Sequence, residues 1–388
     1  MPEVLNTLIT IVSFILILGI LVFIHELGHY LAARLMRVHV EEFAFGFGMS
    51  LWSRKIGKTV YKINLLPFGG YVKLQGEKYD PNDQRDDSYT HKSVYAKLFI
   101  LLAGITMNIL LAIFLFAIFL GTAGYQQAFR AITDFDFVGV QSSKIALVVS
   151  NVEPGAPADG NLKSGDVILK ADDRDFAYLG EFKEILAQKE GGSITLEVTD
   201  IESLAGAPRQ VTLNLRDQSE GKPLLGVGYI SMYIIDYPAS VISAIPHTWN
   251  MFSYQLVSLR QLIDDSIASQ DAQIALQEVG GVIAVGNLVG QVVSLGDYLA
   301  LLNLTALLSV ALAFFNVLPF PLLDGGQATL EILQALMRRR IPDKYLNVIN
   351  TIGLVFLLGL SVLITFKDAL QFNLIQGILE QVRSVFGR

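Results

Sequence analysis

The sequence predicts a multi-span α-helical membrane protein with four transmembrane helices, an inserted α+β domain and a membrane-associated β-hairpin. Three observations predict it. Of 388 residues, 52% are hydrophobic and only 17% charged, against about 25% charged in an ordinary soluble domain. Four runs of about 20 apolar residues recur along the chain. The stretch between the second and third runs has instead the alternation and turn residues of soluble strands.

In chain order, residues 4–35 and 94–121 are the first two apolar runs, and residues 298–318 and 346–366 the last two. A helix over any of them can cross about 30 Å of hydrocarbon. The polar loop 37–93 lies between the first pair. In it, residues 60–65 and 71–74 alternate like strands, and Pro67-Phe68-Gly69-Gly70 reads as the turn joining them into a hairpin over 58–74. Residues 135–228 read as a small α+β module. Its strands are expected at 145–152, 165–169, 194–199 and 210–215, with a short helix at 179–188. Residues 238–263 mix apolar residues with His247, Asn250, Gln255 and Arg260, as an amphipathic helix on a membrane surface does. Residues 280–295 are apolar but short and glycine-rich, which suits an interfacial or re-entrant piece. The whole stretch 237–297 is therefore assigned to interfacial helices. A tail, 369–388, follows the fourth span.

Basic residues orient the spans. Arg37, Arg54, Lys55, Lys58, Lys62, Lys73, Lys78, Arg85 and Lys92 crowd the first loop, and Arg338, Arg339, Arg340 and Lys344 the last, whereas residues 1–7 carry none. Both basic loops are expected in the cytoplasm, with the amino terminus and the 135–228 domain outside. Met1-Pro2-Glu3 lacks the basic start of a signal peptide, and the first run continues into a motif that must be retained. The net charge of −7 argues against a nucleic-acid partner.

That motif is His25-Glu26-Leu27-Gly28-His29, inside the first apolar run. On a helix, H-E-x-x-H puts two imidazoles one turn apart on one face, able to hold one zinc ion, and the glutamate can take a proton from an attacking water. Such groups are expensive in hydrocarbon and mark function. The chain has five histidines and no cysteine, so a third ligand must be His, Asp or Glu. Two imidazoles and a carboxylate suit zinc. Leu35 stands where an extended motif would place a third histidine. Glu41 and Glu42 follow a turn-and-strand segment and read as solvated charge. Asp324 lies among prolines and glycines in Pro319-Phe320-Pro321-Leu322-Leu323-Asp324-Gly325-Gly326, as at a helix broken at membrane depth. Local sequence alone fits an ordinary helix N-cap as well. Topology decides. With four spans, His25 sits roughly 25 Å along the first helix, near its cytoplasmic end, and the third span delivers Asp324 to that same side.

With H-E-L-G-H in the first span and Asn316-x-x-Pro319-x-Pro321-x-Leu323-Asp324-Gly325-Gly326 after the third, the chain resembles the site-2 protease family of intramembrane zinc metalloproteases. It is similar to the bacterial regulator-of-sigma-E-protease type with a single PDZ domain. Phe45-Gly46-Phe47-Gly48, Leu66-Pro67-Phe68-Gly69-Gly70-Tyr71-Val72, Pro154-Gly155-Ala156-Pro157-Ala158 and Leu162-Lys163-Ser164-Gly165-Asp166 extend the likeness over nearly the whole chain.

The resemblance implies Zn2+ on His25, His29 and Asp324, with Glu26 as general base. It implies a substrate backbone held by Asn316 and by the hairpin residues Gly69, Gly70 and Tyr71, since an unwound helix needs new backbone partners. Asn108, in Gly104-Ile105-Thr106-Met107-Asn108, matches a second-span site residue of the family, and equally fits an interhelical hydrogen bond. The implied setting is the bacterial inner membrane, with the PDZ-like domain outside and single-span membrane proteins as substrates. A non-hydrolytic zinc-binding protein and a PDZ adaptor are the competing classes.

Overall fold

The computed structural model describes residues 3–77, 83, 85–176, 179–189, 192–200, 207–216, 225–269 and 279–371. Lys78 and residues 372–388 of the expected tail lie outside the described residues. The helices are α1 (Glu3–Leu35), α2 (Val94–Thr122), α3 (Leu179–Ala187), α4 (Ala244–Ser269), α5 (Val282–Leu295), α6 (Tyr298–Val317), α7 (Asp324–Met337) and α8 (Asp343–Gln371). The strands are β1 (Val40–Ile56), β2 (Thr59–Leu74), β3 (Gln126–Arg130), β4 (Ser142–Val152), β5 (Asp166–Ala171), β6 (Ser193–Asp200), β7 (Arg209–Asn214) and β8 (Val227–Asp236). The chain divides into two compact units, residues 1–119 with 251–388, and residues 120–250.

In the first unit, α1, α2, α6 and α8 are long and apolar enough to cross a membrane, as the four runs predict. The α1 helix has two faces. Leu8, Val12 and Leu16 point outward, whereas Ile17 and Leu21 are buried against Val289 of α5. An apolar outer face is what a helix in lipid needs, because its backbone groups are already satisfied internally. The α5 helix is docked by polar contacts. Asp368, fully buried on α8, accepts from the amides of Gly281 (2.9 Å) and Ala284 (3.1 Å), two of the orphan donors at the start of α5.

The expected hairpin is larger than its sequence suggests. The tight turn is at Gly57-Lys58, joining Ile56↔Thr59, and β1 supplies the partner strand. The runs 60–65 and 71–74 do not pair with each other. Residue Phe43 pairs with Tyr61 on one side and Val72 on the other, and Phe45 with Ile63 and Gly70. The segment after Leu66 crosses from one side of β1 to the other. Pro67, which donates no hydrogen bond, and Gly69 at φ +107 permit that crossing. Residues 40–56 concealed their strand because Glu41-Glu42, Gly46 and Gly48 interrupt its alternation.

The second unit is a six-stranded sheet in the order β3-β8-β4-β5-β6-β7, with every neighbour antiparallel. Leu147, Ile168 and Leu196 of the sheet bury against Phe182 and Leu186 of α3. The four predicted strands and the helix are present. The sheet also reaches past the expected 135–228 at both ends, because β8 lies between β3 and β4. Beyond β8, Tyr237 and Asn250 tie the start of α4 to the chain. Asn250 Nδ2 donates to the Tyr237 hydroxyl (3.0 Å) and to Val138 O (2.9 Å), and the Tyr237 hydroxyl lies 3.0 Å from His247 Nδ1.

Burial pushes the His247 imidazole down to about 3 from its ordinary value near 6.5. The unfolded chain therefore takes up this proton at higher pH than the folded one. The resulting stabilisation is complete above pH 6.5 and is lost as pH falls towards 3. Melting curves should show the 120–250 unit weakening by on the order of 2 kcal/mol between pH 6.5 and 5. A His247→Gln variant should lack that part of the slope.

Candidate active site

Two elements far apart in sequence meet at one point. His25 and His29 lie one turn apart on α1, and Asp324 is the first residue of α7. The Asp324 Oδ2 atom lies 3.0 Å from His25 Nε2 and 3.2 Å from His29 Nε2, and the two imidazole nitrogens are 3.2 Å apart. The aspartate is not the helix cap, since Leu323 occupies that position without a side-chain bond. A carboxylate in the first helical turn also meets the positive end of the helix dipole.

The protons identify what this triangle can hold. The Nδ1 atom of His29 is 2.8 Å from Ile100 O, a group that can only accept, so Nδ1 carries the proton. In the neutral ring, Nε2 then turns a lone pair towards the carboxylate. Consistently, Asp324 Oδ2 is buried without a hydrogen-bond donor among the described residues. Lone pairs that converge in this way repel unless a cation sits among them. The spacing fits zinc. Nitrogen and oxygen donors at about 2.0–2.2 Å from a tetrahedral zinc stand about 3.3 Å apart. The residues are mostly buried, and among the described residues they are the only His, Asp and Glu cluster of this kind.

The neighbours of the triangle explain the local sequence. Gly28 faces α2, where a methyl would lie 2.8 Å from the Ala103 carbonyl carbon and 2.9 Å from Gly104 Cα. Gly104 faces the imidazoles, where a methyl would overlap His29 Nε2 and lie 2.8 Å from His25 Cε1. Small residues on both helices thus let the backbones close on the site. Gly325 and Gly326 do the same for the broken helix, since methyls there would overlap the Val317 and Phe320 carbonyls. Leu322, at φ +75, is in the left-handed region within that tight loop.

The remaining expected residues sort clearly. Glu26 lies beside Gly70 of β2, where a methyl would come within 3.0 Å of Glu26 Cγ. Gly69 lies under the Phe47 ring, and Tyr71 donates to Glu42 (2.9 Å). Asn316 donates to Leu312 O in its own helix (2.9 Å). Asn108, for which the sequence leaves a substrate contact and an interhelical hydrogen bond open, is fully buried, with its amide 3.1 Å from His25 Nδ1 and its backbone carbonyl bound by Ser309. Glu41 and Glu42 pair with Lys73 and Lys62, and neither belongs to the triangle. Sequence reading missed Gly28, Gly104 and the Ile100 carbonyl. Small residues facing each other across two spans were the available signal for the glycines; a backbone carbonyl leaves none.

A sequence model of peptidase family M50 matches residues 13–360. The chain belongs to this family, the site-2 proteases. It is a multi-pass membrane protein and a zinc metalloprotease. Its relatives include proteins of Clostridium perfringens, 33% identical over 92% of this chain and 98% of its own, and Clostridium acetobutylicum, 30% identical over 92% and 96%. Another, from Helicobacter pylori, is 30% identical over 91% and 97%. Each is provisionally named a zinc metalloprotease.

In an M50 peptidase whose helices close this tightly, Gly104→Ala should displace the imidazoles. Zinc content of the purified protein should fall severalfold, while a Gly121→Ala control, with open space around it, should retain zinc.

Proposed function

We propose that this M50 peptidase is an intramembrane endopeptidase that cleaves single-span membrane proteins, anti-sigma factors and signal-peptide remnants among them, in regulated intramembrane proteolysis. His25, His29 and Asp324 would hold the zinc, and Glu26 would act as general base. The observation that carries this reading is the meeting of three potential metal donors, two from an apolar helix long enough to span a membrane and one from the start of α7, with Glu26 next to His25 in the chain. The basic loops support a bacterial inner-membrane protein with its site towards the cytoplasm and the six-stranded domain outside. The strand order and the Pro154-Gly155-Ala156-Pro157-Ala158 turn support reading that domain as one PDZ module.

Bound zinc would polarise the scissile carbonyl and make water a better nucleophile near neutral pH. The chain supplies the proton path and the positioning. Glu26 follows His25 on the same helix, so its carboxylate stands beside the donors without being one of them. It would take the proton of the attacking water and pass it to the leaving amine. Gly70–Leu74 pairs with β1 on one side, and among the described residues no strand covers its other edge. That edge begins at Gly70, against Glu26, and would pair with the unwound substrate backbone. Tyr71 is anchored by Glu42, and Asn316, with its Nδ2 already bonded, would offer Oδ1 to a substrate N–H.

Glu26→Gln should lower cleavage of a co-expressed single-span substrate by at least about a hundredfold and leave zinc content at the parent level. Unimpaired cleavage would remove Glu26 from this role. Asp324→Asn should reduce zinc stoichiometry, and parent-level zinc in that variant would exclude the aspartate as a ligand.

A further inference from the structure

Lys97 lies one turn inside α2 and is only 7% exposed. Its ammonium nitrogen is 3.1 Å from both carboxylate oxygens of Glu331 on α7 and lies 5.2 Å from the centre of the Tyr89 ring. A charge within an apolar helix is costly, and a buried ion pair often adds little net stability. Well-packed hydrophobic residues often hold helices together as well as such a pair does. The position of the pair gives a better reason for it.

Each end sits on a helix that positions the candidate zinc site. Glu331 follows Asp324 by seven residues, two turns along α7, so both project from roughly one face of that helix. Lys97 precedes Ile100, whose carbonyl holds the His29 imidazole, by three residues, and so lies one turn away along α2. The ion pair thus spans 234 residues of sequence and joins the support of the histidines to the support of the aspartate. The Asp324 end of α7 is held by the tight loop before it, and a contact two turns further on sets the rotation of the helix at a second point. Bidentate geometry at the ammonium, with the Tyr89 ring behind it, restricts that rotation.

We propose that Lys97 and Glu331 are positioning residues for the metal centre, an ionic clamp that holds the Asp324 carboxylate at donor distance from His25 and His29. This rests on those three residues being the zinc ligands. Direct hydrogen-bond partners of metal ligands change metal affinity typically 10–100-fold when removed, and this pair acts one step further out.

The test is zinc affinity of the full-length purified protein, measured by competition with a fluorescent chelator, alongside melting temperature. The parent should bind one zinc; if it binds none, the ligand assignment fails and the clamp with it. Given a zinc-binding parent, Lys97→Met and Glu331→Gln should each weaken binding about tenfold, the low end of that range. Lys97→Arg should stay within about threefold of the parent, and the reversed pair K97E/E331K should recover most of the affinity. Glu331→Asp keeps the charge but shortens the arm, and serves if the neutral variants do not fold: it should weaken zinc binding severalfold at an unchanged melting temperature. Parent-level affinity in Glu331→Asp, or in either folded neutral variant, would overturn the proposal. So would a reversed pair that restores the melting temperature but not the affinity.

Discussion

The structure depends on the convergence of three potential metal-donor atoms, His25 Nε2, His29 Nε2 and Asp324 Oδ2, at one point between helices. His29 commits its Nδ1 proton to the Ile100 carbonyl, so in the neutral ring its Nε2 faces Asp324 Oδ2 and His25 Nε2 across 3.2 Å with a lone pair. In water such a cluster would disperse. Buried between helices, it needs the backbone to hold it and a bound cation or a shared proton to compensate it. Much of the local sequence serves this constraint. Gly28 and Gly104 let α1 and α2 approach until the imidazoles fill the space, and Gly325 and Gly326 fold the broken end of the third span onto itself. In both places a single methyl would meet backbone or ligand atoms.

The same constraint accounts for the polar groups around the site. Asn108 is fully buried against His25 Nδ1, and its Oδ1 finds no donor among the described residues. Zinc binding through His25 Nε2 requires a proton on Nδ1, and a half-turn of the Asn108 amide presents the oxygen to receive it. Ser309 then ties the Asn108 carbonyl to α6, which leads into the Asp324 loop. These bonds join the support of each ligand to that of the next. The β1–β2 sheet meets the motif helix at Gly70, whose missing side chain leaves room for Glu26, and at Tyr61, whose hydroxyl lies 2.7 Å from that of Tyr30.

Much of this was legible in the sequence, for physical reasons. Long apolar runs can only be spans, and H-E-x-x-H has one efficient use in a helix, so the four helices and two of the three donors could be read directly. Asp324 could be reached because the number of crossings places each loop on one side of the membrane. The β1 strand could not be read so simply, since two glycines and paired glutamates break its alternation, and its double pairing is a tertiary fact. Asn108 could be read either as a site residue or as an interhelical contact, and its neighbour could not be read at all. Its partner is one imidazole nitrogen, and contacts at that scale depend on how two helices rotate against each other. Lys97 and Glu331 were invisible as a pair because nothing in either local sequence points to a partner 234 residues away.

The central claim is that two imidazoles of α1 and one carboxylate of α7 hold a single zinc. X-ray absorption at the zinc edge of the full-length protein tests it most directly. The account predicts about four light donors at roughly 2.0–2.1 Å, with the multiple scattering of two imidazole rings. A shell of six oxygens, or one without the two-ring signature, would contradict it.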